Sequence, residues 1–260
     1  MDIVKIGFSG GGLGHASGAE EAPEKIISKL NELFANEEGK TPKFNFVDVS
    51  VNNSNIVETN ENIFNTCLKL NNKSVILGGD HSITYSSFKA FVKKNPGAGF
   101  IVFDAHPDCE NNFSPPTQED YLRVLIDEGY LDPNKVIIIG IRNWDKKEID
   151  FLNEKRIKYY TMDKIMQFGV IEVCDIIIEV ALSWPSFYLS IDIDAVDPAF
   201  APGTGYIEPG GLSSRELIYF IQRLKKMKNH LMSDIVEISP RKDVNELTVK
   251  LGAKLIMELF

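Results

Sequence analysis

Six residues of metal-ligand type lie in three short stretches of this 260-residue chain. His81 sits in Gly78-Gly79-Asp80-His81-Ser82. Asp104, His106 and Asp108 form Asp104-Ala105-His106-Pro107-Asp108, and Asp192 and Asp194 close Ser190-Ile191-Asp192-Ile193-Asp194. A buried carboxylate is costly unless a cation or donor meets it, and several converging carboxylates without cations are driven to protonate. Carboxylate and imidazole donors with no thiolate suit a borderline-hard divalent metal such as Mn(II). Two ions sharing bridging carboxylates would use all six residues. Such a pair lowers the pKa of a bridging water and makes a hydroxide nucleophile near neutral pH.

Each stretch follows an apolar run that reads as a buried strand: Ser74–Leu77, Gly99–Phe103 and residues 187–193. Side chains two apart on a strand share a face, so Asp192 and Asp194 are expected side by side, with Ile191 and Ile193 opposite. After Asp197-Pro198, the Gly/Pro-rich run 202–211 is too broken for a helix or strand and reads as an active-site loop. Open α/β sheets bind ligands at such carboxyl ends.

The other elements alternate. Strands are expected at 4–8, 44–51, Val136–Ile141, 157–160 and 234–238. Pro23 opens a helix with Ile26, Ile27, Leu30, Leu33 and Phe34 on one face. Further helices carry Ile63, Phe64, Cys67 and Leu68; Ile83, Phe88, Phe91 and Val92; Tyr121 to Ile126; and Val170–Leu182. Thr161 caps one helix, and Ser213 with Glu216 forms a capping box for another. The last helix carries Leu247, Leu251, Leu255 and Ile256. With no linker or repeat, this predicts one α/β domain over 1–260, with a mostly parallel sheet.

Composition excludes several classes. Net charge is -9, which argues against a nucleic-acid footprint or a polybasic membrane patch. Cys67, Cys109 and Cys174 are an odd number without a CxxC, so neither a disulfide framework nor a cysteine zinc site is expected. No leader peptide or membrane-length apolar run is read, and the expected setting is the cytoplasm. The loop Ser9-Gly10-Gly11-Gly12-Leu13-Gly14-His15 follows a strand, but GxGxxG cannot be placed on it and no Gly-Lys-Ser/Thr follows. Nucleotide binding is not expected there.

The motifs GGDHS, DAHPD and SIDIDAVDP, followed by PGTG and GGLS, resemble the ureohydrolase family: arginases, agmatinases, formiminoglutamases and their relatives. The resemblance runs along nearly the whole chain, including SGAEEAPEKI, GIRNWD and DIVEISP. It implies a three-layer α/β/α domain, two Mn(II) per chain and homo-oligomers. By motif, His81, Asp104, Asp108 and Asp192 would hold one ion, and Asp104, His106, Asp192 and Asp194 the other. Glu237 matches the carboxylate that pairs with the substrate guanidinium, and Asp145 falls where relatives contact the far end of the substrate. The implied reaction cleaves a C–N bond of a small cationic guanidino or amidino compound. A metal-bridging hydroxide attacks the central carbon, and Asp108 passes the proton to the leaving amine.

One departure stands out. Arginases and agmatinases carry a histidine in the loop after DAHxD, whereas residues 109–120, CENNFSPPTQED, have none. Gln118 occupies that region and cannot titrate. His15 is the candidate substitute; His230, in a polar turn, is expected at the surface, and Cys109 behind the metal site. The same residues admit two other readings: a metal-binding homologue with little or no activity, acting as regulator or assembly partner, and a deacetylase-like amide hydrolase.

Overall fold

The computed structural model describes residues 1–70 and 73–260. Its strands are β1 (Asp2–Lys5), β2 (Asn45–Asp48), β3 (Ser74–Leu77), β4 (Gly99–Phe103), β5 (Val136–Ile141), β6 (Lys158–Thr161), β7 (Phe187–Asp192) and β8 (His230–Val236). They form one sheet in the order β2-β1-β3-β8-β7-β4-β5-β6, and every pairing among the described residues is parallel. The helices are α1 (Ala22–Leu30), α2 (Ile56–Lys69), α3 (Ile83–Lys94), α4 (Tyr121–Asp127), α5 (Lys146–Lys155), α6 (Met162–Phe168), α7 (Val170–Leu182), α8 (Ser214–Leu224) and α9 (Leu247–Leu259).

A parallel strand covered on both faces must be apolar along its length, and β3, β4, β5 and β7 are buried at every position. Alternate residues feed two cores. Leu77, Ile101, Phe103, Ile139 and Ile191 pack with Ile26, Ile177, Leu217 and Leu255 of α1, α7, α8 and α9. Ile76, Phe100, Val102, Ile138 and Tyr188 pack with Ile63, Phe88, Leu122 and Leu152 of α2, α3, α4 and α5. Full burial of each such side chain contributes about 1.5–3 kcal/mol, so the three layers follow from the strand pattern.

The expected caps form: Thr161 accepts from the Lys164 N–H, and Ser213 and Glu216 bond reciprocally at the start of α8. Pro23 lies in the first turn of α1, but that helix stops at Leu30, and Phe34 is 88% exposed rather than packed. Leu247 is likewise exposed at the start of α9. His230 is not on the surface. It begins β8, buried, with its ring stacked on Phe187 (centroids 5.1 Å) and Nε2 2.7 Å from Ser233 Oγ. The apolar pairing of β7 with β8 draws that turn inward.

A candidate metal centre at four strand ends

β3, β8, β7 and β4 are neighbours in the sheet, and their carboxyl ends deliver His81, Glu237, Asp192 and the 104–108 segment to one cleft. Its volume is about 240 Å³. His81 follows Gly79, where a Cβ would fall 1.6 Å from the Phe8 carbonyl oxygen, so only glycine lets the chain pass. Asp80 binds the Gly11 N–H at 2.8 Å, tying the glycine loop after β1 to the turn after β3. That loop therefore closes against the site, as a backbone packing element.

His81 Nδ1 lies 3.2 Å from Asp104 Oδ2 and 3.1 Å from both Asp108 Oδ2 and Asp192 Oδ2. It forms a directed hydrogen bond to none of them, and Asp104 Oδ2 is also buried without a partner. The other ring nitrogen explains the tautomer. Ser190 Oγ donates to Asp234 Oδ1 at 2.6 Å, so it must accept from His81 Nε2 at 2.9 Å. With its proton on Nε2, a neutral His81 would turn the Nδ1 lone pair to three carboxylate oxygens, and a cation between them would be met by all four donors. Burial works against a charged His81, yet the carboxylates push its pKa well above the usual imidazole value. Burial also raises Asp108, with Asp104 beside it, and Asp192, with Asp194 and Asp104 beside it.

His106 Nδ1 sits 3.2 Å from Asp194 Oδ2 and 3.6 Å from Asp104 Oδ1. All six expected residues thus meet, but not by strand alternation alone. β7 ends at Asp192, and residues 193–195 form a 3-10 turn whose Asp194 N–H is held by Asp192 Oδ1 at 2.9 Å. Asp194 reaches the site through that turn.

Glu237 is 4% exposed and left-handed (φ 62°), a backbone state costing on the order of 1–3 kcal/mol for a non-glycine residue. Its Oε1 accepts the His81 N–H at 2.7 Å, and its buried Oε2 has no partner. Burial, then Asp192 and Asp80, raises its pKa. Asp145 lines the cleft but also caps α5, accepting the Glu148 N–H at 3.0 Å. Gln118 lines it too, on a loop anchored by its own N–H to the Gly11 carbonyl. His15 is exposed at the mouth, stacked on Tyr206 at 5.0 Å, and is not among the lining residues. Cys109 is buried, its thiol pKa pushed up by burial and by Glu148, as packing behind the site requires.

Two features escaped the sequence reading. Glu208 accepts from Asn143 Nδ2 at 2.8 Å and lies 3.3 Å from His106 Nε2, which holds its carboxyl down at about 2. It is the only acid in the 202–211 loop, and an imidazole ligand needs a partner on its second nitrogen, which was the available signal. The His81–Ser190–Asp234 chain, completed by Tyr188 and Thr84 on Asp234 at 2.7 Å each, had no motif to announce it.

A family model described as the arginase family matches residues 1–260. The chain belongs to the arginase family. An arginase of Staphylococcus aureus is 33% identical, covering 80% of this chain and 75% of that protein. Proclavaminate amidinohydrolase of Streptomyces clavuligerus is 32% identical, covering 99% and 87%. The solved structure of formimidoylglutamase from Bacillus subtilis superposes with a TM-score of 0.93 at 27% identity, covering 99% of this chain and 85% of that one. This member of the arginase family is a hydrolase of C–N bonds other than peptide bonds. No helix among its described residues is long and apolar enough to cross a membrane.

Proposed function

We propose that residues 1–260 form one ureohydrolase-like domain that hydrolyses a C–N bond in a linear guanidino or amidino compound with two Mn(II). The observation that carries this is His81 Nδ1, buried without a hydrogen-bond partner, 3.1–3.2 Å from three carboxylate oxygens beside the His106–Asp194 pair. His81, Asp104, Asp108 and Asp192 would hold one ion, and Asp104, His106, Asp192 and Asp194 the other. The pair would supply a water of lowered pKa near neutral pH.

The chain's own groups do the rest. Glu237 Oε2, without a partner, takes a guanidinium or amidinium N–H, while the His81 N–H fixes Oε1. This aims the central carbon at the ligand cluster and converts binding into orientation. Asp108 takes the proton of the attacking water and returns it to the leaving nitrogen. For a guanidine, water's oxygen ends on the carbon as urea and its proton on the released amine. Asp145 contacts the distal part of the substrate. The reading extends to a cytoplasmic homo-oligomer, as the family resemblance implies.

A metal-binding homologue with little turnover is the second reading, supported by Gln118 where an imidazole is expected. The deciding experiment loads the protein with manganese, desalts it, and measures metal content with urea or ammonia release over guanidines, amidines and simple amides. About two ions per chain and guanidine or amidine turnover are expected. One ion, amide cleavage alone, or bound metal with no turnover would reject the hydrolase proposal.

A further inference from the structure

The two imidazoles of the ligand cluster are backed by different parts of the fold. His81 leans on Ser190 and Asp234, which lie in β7 and β8. His106 leans on the irregular loop 202–211: its Nε2 is 3.3 Å from Glu208 Oε1, and its ring meets that of Tyr206 at 5.1 Å. With Nδ1 turned to Asp194 and Asp104 as a ligand, Nε2 carries the proton and donates it to Glu208. The acceptor on the second nitrogen orients a metal-binding imidazole, and losing it typically costs about 10–100-fold in metal affinity.

Two consecutive residues after β5 set Glu208 in place. Asn143 Nδ2 donates to Glu208 Oε1 at 2.8 Å. Arg142 Nη2 donates to the Glu208 carbonyl at 2.8 Å and to the Asp194 carbonyl at 2.6 Å. The backbone N–H groups of Arg142 and Asn143 both donate to the Ala105 carbonyl, at 3.0 and 3.1 Å. This pair therefore binds three segments that meet around His106: the 104–106 stretch, Asp194 and the loop at Glu208. Held by its carbonyl and its carboxylate at once, Glu208 has a fixed direction, as a supporting group needs. The same loop reaches the substrate side. A Cβ on Gly205 would lie 3.7 Å from Glu237 Oε2, so the loop backbone roofs the oxygen assigned to the guanidinium or amidinium. A shift of the loop would turn His106 and uncover Glu237 together.

We propose that Glu208, set by Arg142 and Asn143, is a positioning residue for the ion on the His106 side and couples that ion to the loop that roofs Glu237. This rests on the two-ion reading above and deepens it, because it ties one ion to the core and the other to the substrate-covering loop.

The test titrates metal-free protein with manganese chloride by calorimetry and follows the same samples by electron paramagnetic resonance. Wild type should bind two ions and give the spectrum of a spin-coupled pair. Glu208→Ala should raise one dissociation constant about 10–100-fold, leave the other within about twofold, and give the spectrum of an isolated ion at one equivalent. Glu208→Gln should recover affinity to within about threefold, since two donors converge on Oε1 and select the amide oxygen there. With manganese raised until both sites refill, Glu208→Ala should regain kcat while KM stays about three- to tenfold high, because the roof over Glu237 remains displaced. Asn143→Ala, at an exposed position, repeats the titration if Glu208→Ala fails to fold, with a dissociation constant raised about two- to fivefold. Two ions held at wild-type affinity in a folded Glu208→Ala, equal weakening of both ions, or equal losses in Glu208→Ala and Glu208→Gln overturn the proposal. Two ions without turnover defeat the hydrolase reading alone, and the titration still decides for or against Glu208. A wild type that binds fewer than two ions overturns both.

Discussion

Replacing Glu237 with glutamine separates substrate recognition from metal binding. The side chain is 4% exposed, its Oε1 accepts the His81 N–H at 2.7 Å, and its Oε2 is free. Glutamine keeps the shape. Its amide oxygen can retain the His81 bond, which turns the NH2 toward the substrate, so a donor faces a donor. Hydrogen bonds to charged groups contribute about 1.5–3 kcal/mol, and losing one should cost about 10- to 150-fold in kcat/KM. The steric fit argues for the upper half of that range. Metal content should stay at the wild-type value, because Glu237 is not among the six ligand candidates. Urea release over a substrate series, with elemental analysis of the same samples, measures both. Unchanged kcat/KM would show that Oε2 does not meet the guanidinium. Loss of an ion would move Glu237 into the ligand set.

Asp104→Asn or Asp192→Asn should remove at least one ion and nearly all turnover, since a neutral amide bridges two cations poorly; unchanged metal content and rate would show both were misassigned. Gln118→His should raise turnover, or bring in a pH dependence near the imidazole pKa of about 6.5, if proton relay limits the wild type; an unaltered pH profile in a correctly folded variant would count against that limit. Glu148 gives a stability test. Burial, against bonds from the Asp145 and Cys109 N–H groups, lifts its pKa from 4.5 to about 7. The fold therefore favours its protonated form. That contribution, about 3 kcal/mol, is present below pH 4.5 and lost as pH rises through about 7. Glu148→Gln should flatten the thermal-melting curve across that window, and parallel curves would refute the assignment.

The sequence by itself determined the strands and the donor types. Short, β-branched apolar runs such as Val136–Ile141 fit buried strands of a parallel sheet, and the ligand-type residues cluster where those runs end. Local chemistry sufficed for the capping box at Ser213 and for the glycine turn before His81. Tertiary structure decided what depends on partners distant in the chain. Asp194 faces the site because a 3-10 turn carries it there, which the alternating spacing does not reveal. His230 is buried because β7 packs beside it. The His81 tautomer is set by Ser190 and Asp234, over 100 residues away, and His106 is met by Glu208 from a loop without regular structure. Spacing along the chain reports a side chain's direction only within one element. Which groups then share a cleft is settled by sheet order, and here β3-β8-β7-β4 sets four separated segments side by side.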